Sequence, residues 1–168
     1  MTVTSKSQYL ENDYRLGDVI AAIQVMGSYS FYKLTYEKWA HRISGEDRDE
    51  KGASHWKKVF EEHPEFFRLD TTGQKASLVW RRSYRRIYSV DQQKELEASE
   101  ISTLDDKGKN RLSRSPLTGE EISILINTAI NLHTRAIEQN KEHRFLSVPL
   151  FGLLGVVLGA AMGVLVNK

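Results

Sequence analysis

Phe66-Phe67-Arg68-Leu69-Asp70-Thr71-Thr72-Gly73-Gln74-Lys75-Ala76-Ser77-Leu78-Val79-Trp80-Arg81 divides into two short runs around a polar turn. Phe66 to Leu69 has strand composition and Asp70-Thr71-Thr72-Gly73 has turn composition. Over Lys75 to Arg81, the residues Ala76, Leu78 and Trp80 alternate with the period of two that a half-buried strand requires. The pattern predicts a β-hairpin. Upstream, Leu16, Val19, Ile20, Ile23 and Met26 recur at helical spacing, with Asn12 or Asp13 as cap and Gly27 as stop. Ser30-Phe31-Tyr32-Lys33-Leu34 reads as a short strand. Thr35 caps a second predicted helix with Tyr36, Trp39, Ala40 and Ile43 on one face, and Ser54 caps a third with Trp56, Val59 and Phe60. Pro64 pushes His63 out of α conformation and ends that helix.

The order helix, strand, helix, helix, strand, turn, strand over roughly residues 13–82 resembles a winged-helix domain, the helix-turn-helix variant with a β-hairpin wing. The resemblance rests on element order, and no residue signature accompanies it. Beyond the hairpin, 83–97 reads as a polar helix and 98–116 as a linker in which Lys107-Gly108-Lys109-Asn110 has too little apolar content to pack. Thr118 and Glu121 form a capping box. The stripe Ile122, Leu125, Ile126, Ala129, Ile130, His133, Ala136 and Ile137 then predicts a helix to about Arg144.

From Phe145 to Val166 no side chain is charged. As a helix this segment would span roughly 33 Å, enough for the hydrocarbon core of a bilayer. The expected fold class is therefore a small α+β winged-helix-like domain followed by a long helix and a single C-terminal transmembrane helix. The expected organisation is an arm (1–12), the domain (13–90), a polar linker (91–117), a juxtamembrane helix (118–144) and the span (145–166). Arg135, Lys141 and Arg144 precede the span and Lys168 follows it, which places the body on the cytoplasmic side of a tail-anchored, single-pass protein. Gly155, Gly159 and Gly163 recur every four residues, the small-residue face through which membrane helices pack, so a homo-oligomer is expected.

Net charge is +2 over 168 residues, too little to announce a nucleic-acid binder by itself. The charge is uneven. Lys75, Arg81, Arg82, Arg85 and Arg86 fall in a stretch without an acid, and six acids against Lys94 alone follow from Asp91 to Asp106. With Lys57 and Lys58 of the third helix, Arg81, Arg82, Arg85 and Arg86 are the candidate residues for an anionic partner: nucleic-acid phosphate, the anionic inner leaflet of a membrane, or the acidic stretch from Asp91 to Asp106 of the same chain or a neighbour. A solvated basic face is the plain alternative. The third helix offers no Arg, Asn or Gln to read a base edge bidentately, and Glu61 and Glu62 oppose phosphate.

There is no cysteine, none of the motifs HExxH, GxxxxGK[ST], GxGxxG or GxSxG is present, and neither metal nor cofactor is expected. Arg111-Leu112-Ser113-Arg114-Ser115-Pro116 has the look of an accessible phosphorylation site. The expected function is a non-catalytic, membrane-anchored interaction module with an unknown protein partner. A membrane-tethered DNA-binding regulator is the alternative.

Overall fold

In the computed structural model, which describes residues 7–10, 12–45 and 50–141, the first helix is α1, Arg15–Ser28. The Asn12 side chain accepts from the Tyr14 amide at 2.9 Å just ahead of it. Gly27 lies inside the last turn and does not end the helix. Strand β1 (Lys33–Thr35) leads into α2 (Tyr36–Ser44), which stops where Gly45 takes a φ of 69°, the left-handed conformation that favours glycine. Thr35 occupies the cap position of α2, but its hydroxyl bonds the Glu37 side chain and no backbone amide. Helix α3 spans Glu50–Glu62, so Ser54 sits within it and caps nothing.

The predicted hairpin is β2 (Phe67–Leu69) and β3 (Lys75–Leu78), with β1 on the far side of β3 in the antiparallel order β1–β3–β2. The turn is closed by Asp70, whose carboxylate accepts from the Thr72 hydroxyl at 2.8 Å and the Gln74 and Lys75 amides at 3.1 and 3.2 Å. One face of this sheet joins Val19, Ile23 and Met26 of α1, Trp39 and Ala40 of α2, and Val59 and Phe60 of α3 in the core. Each large side chain fully withdrawn from water there contributes roughly 1.5–3 kcal/mol. Trp39 adds a buried hydrogen bond from its indole N–H to the Ala76 carbonyl at 3.0 Å.

Two expectations fail beyond Leu78. Strand β3 stops there, and a 3₁₀ turn at Trp80–Ser83 replaces the continued alternation. The polar helix expected over 83–97 is instead a second sheet. It contains β4 (Tyr88–Ser89) and β5 (Lys94–Glu95), joined by a turn in which Gln93 has a φ of 52°, and β6 (Leu112–Ser113), in the order β5–β4–β6. Two short helices, α4 (Ala98–Ser102) and α5 (Asp106–Asn110), occupy the stretch read as linker. Local capping builds α5 despite its low apolar content: the Asp105 carboxylate accepts the Gly108 amide at 2.7 Å.

Residues 119–141 form α6. Its capping box is present, with the Thr118 amide donating to Glu121 at 2.9 Å and the Glu121 amide donating to Thr118 Oγ1 at 3.2 Å. Leu125, Ala129 and Ala136 face the core.

The expected fold class is corrected by this architecture: the described residues form an α+β structure of six α-helices and two small sheets. None of those helices is long and apolar enough to cross a membrane. The longest, α6, is amphipathic and carries Glu120, Glu121, Arg135, Glu138 and Lys141, so it serves as a surface helix of the body. The proposed span 145–166, with Gly155, Gly159 and Gly163, lies outside the described residues. Among the described residues no helix can carry the single-pass, tail-anchored membrane assignment, which the structure does not support.

Candidate functional site

The register of the first sheet decides which side chains meet on its outer face. Lys33 and Arg68 both lie opposite Ser77, one on each side of β3, so Lys33, Ser77 and Arg68 form a row across three strands on one face. The adjacent row, Leu34, Ala76 and Leu69, points to the other side, toward the core. Arg82 from the 3₁₀ turn and Arg114 just beyond β6 come over the outer row. Together they wall a cleft of about 390 Å³, which Tyr32 and Thr71 help to line. Ser77 is only 1% exposed at its floor.

The cleft is electrically lopsided. Four cations (Lys33, Arg68, Arg82 and Arg114) meet one carboxylate, Asp70, which is already engaged in the hairpin turn. The Thr72 hydroxyl, foremost, holds that carboxylate below its ordinary range against the opposing effect of desolvation, with the Lys75 and Gln74 amides and the charge of Lys33 acting in the same direction as Thr72. Among the described residues no ion pair to a carboxylate is found for Arg68 or Arg82. Arg114 is fixed in place: its Nη1 donates to the Arg82 and Tyr84 carbonyls and its guanidinium lies 5.0 Å from the centre of the Tyr32 ring. Its Nε is buried without an acceptor. A buried cationic donor left unpaired is costly.

The predicted basic cluster does not act as a unit. Arg81 is fully buried, and its five N–H donors reach the carbonyls of Ser115, Met26, Tyr29, Ser30 and Arg114, which leaves none for a partner. Burial lowers its pKa to about 10, so it is charged at neutral pH. Arg82 enters the cleft. Arg85 lines a separate recess of about 450 Å³ beside Glu95 and Glu97. Arg86 donates to the Leu112 carbonyl at 2.8 Å and the Lys109 carbonyl at 3.5 Å. On α3, Lys57 pairs with Glu61 at 3.8 Å and Lys58 with Glu62 at 3.4 Å, so the helix neutralises its own lysines. Of the two serines in the stretch read as an accessible phosphorylation site, Ser113 is buried in β6 and accepts the Tyr32 amide at 3.0 Å, while Ser115 is half-buried and its hydroxyl donates to the Glu95 carboxylate.

Lys33, Arg68 and Arg114 were missed by sequence reasoning. Arg68 carried a signal, because on the hairpin it shares the outward phase with Ser77. Lys33 and Arg114 carried none, since only the pairing of β1 with β3 and the return of the chain after β6 bring them there. Among the described residues no group of three or more His, Asp or Glu side chains is arranged to hold a metal ion. Comparison with known proteins finds no matching family, no similar curated protein and no similar solved structure.

Proposed function

We propose that this protein is a non-catalytic interaction module that holds an anionic partner in the cleft over its three-stranded sheet. The observation that carries this reading is the cleft itself, with four cations against one engaged carboxylate. Arginine forks without a carboxylate of their own match phosphate and carboxylate oxygens in bidentate geometry. The DNA-binding alternative needs α3 as the reading helix, and there Lys57 and Lys58 already answer Glu61 and Glu62.

Inorganic pyrophosphate is a suitable probe. A ligand that binds only the folded state, at about ten times its Kd, adds roughly 1.4 kcal/mol and raises the Tm of a chain this size by about 3–6 °C. The rise should shrink with added salt. Arg68→Glu and Arg82→Glu should abolish it, and Lys57→Glu with Lys58→Glu should leave it. No rise, or an equal rise in the two cleft variants, overturns the proposal.

A further inference from the structure

The cleft has a neighbour of opposite character. A recess of about 390 Å³ lined by Phe60, Pro64, Phe67 and Leu69 shares Arg68 and Leu69 with it, and Glu61 stands at this recess. The two hollows meet along β2, an outer strand of its sheet in the order β1–β3–β2, which among the described residues pairs with β3 alone. An outer strand offers backbone donors and acceptors to an extended chain laid beside it, and the side chains of that chain then fall into hollows at fixed offsets.

We infer that the anionic partner is a protein segment carrying a phosphorylated side chain, its phosphoryl group in the cationic cleft and an apolar side chain in the recess beside Arg68. This rests on the reading of the cleft as an anion site. A phosphate monoester brings nearly two charges and three acceptor oxygens, against one charge and two oxygens for a carboxylate. Three arginines, Lys33 and the hydroxyl of Thr71 around one hollow suit the larger demand. A nucleic-acid strand leaving the cleft over the recess meets Glu61 and an apolar floor where its next phosphate needs a cation. A peptide that places one phosphoryl group and one apolar residue fits both hollows.

The test uses the full chain, immobilised, and three probes: a degenerate phosphoserine peptide library, the same library unphosphorylated, and a degenerate single-stranded DNA 12-mer. The phosphorylated library should be retained at least about tenfold more strongly than either other probe. The retained peptides should be enriched in Leu, Ile, Met or Phe at one fixed offset from phosphoserine. Arg68→Glu and Arg82→Glu, each checked for fold by circular dichroism, should release them. Phe67 and Phe60 are core residues, so the recess is tested from the peptide side, by losing the apolar residue at the enriched offset. Equal retention of both libraries, tighter binding of the oligonucleotide, or no apolar enrichment overturns the inference. If pyrophosphate still raises the Tm through Arg68 and Arg82 in those cases, the anion site stands and only the phosphopeptide assignment falls. If pyrophosphate has no effect either, both fall.

Discussion

Replacing Arg81 with Met should remove about 3–5 kcal/mol of folding stability, because five carbonyls lose their donors while the cost of burying the guanidinium is relieved. Arg81 is 0% exposed and donates to the carbonyls of Met26, Tyr29 and Ser30 at the end of α1 and of Arg114 and Ser115 after β6. A charged hydrogen bond contributes roughly 1.5–3 kcal/mol net, so five would give about 7–15 kcal/mol if they added. They do not add, because withdrawing the guanidinium from water costs several kcal/mol and Met removes that cost along with the bonds. Met keeps the stem packed, so little of the loss comes from a cavity. Arg81→Lys keeps the charge but offers three donors in place of five, and it leaves at least two of the five carbonyls without a donor, at about 1–3 kcal/mol each. Lysine should therefore cost about 2–6 kcal/mol. Urea denaturation followed by the fluorescence of Trp39 and Trp56 measures both variants. Hydrogen exchange at the Leu117 amide, bonded to the Gly27 carbonyl at 2.9 Å, reports whether the chain after β6 loosens from α1 first. A methionine variant within about 1 kcal/mol of the parent, or a lysine variant equal to it, refutes the argument.

Other perturbations test other parts of the fold. Gly27→Ala should destabilise by about 1–2 kcal/mol although alanine is the better helix former, because the new Cβ meets Ile122 Cγ1 at 2.9 Å; combined with Ile122→Ala, the two losses should fall short of their sum in thermal melts. Trp39→Phe deletes the donor to the Ala76 carbonyl and should cost about 1–3 kcal/mol in urea titration. Burial acts to raise the Glu65 pKa, but hydrogen bonds from His63, from its own backbone amide and from Tyr9 outweigh it and hold the carboxyl below its ordinary value. A depressed folded-state pKa gives stability that is present above the unfolded value of about 4.3 and lost as pH falls below it. Melting temperature should therefore drop in that acid window, and Glu65→Gln should flatten the drop.

How far the sequence could be followed changes at Leu78. Before it, period-two alternation in the hairpin and period-3.6 stripes in the helices are local signals, and the elements α1, β1, α2, α3, β2 and β3 appear in the expected order. At Val79 the chain enters a 3₁₀ turn, and three residues per turn shift the phase of the alternation. Trp80, expected inside, is 36% exposed, and Arg81, expected outside, is 0% exposed. Four arginines that look like one patch in sequence therefore part company within six residues. The second sheet was invisible for a related reason: its strands are two residues long, too short for any period to show.

By itself the sequence determined the local elements that repeat over several residues: the hairpin with its Asp70 turn, the apolar faces of α1, α2 and α3, and the Thr118–Glu121 helix start. Those are set by neighbours one to four positions apart, whose chemistry is legible in order. Only the tertiary structure decided which cations share a cleft. Lys33, Arg68, Arg82 and Arg114 are brought together by strand register and by a chain that returns after β6, and Arg81 is taken from them by carbonyls up to 55 positions away. Electrostatic partnership depends on distance in space, and sequence order fixes that distance only within a single element.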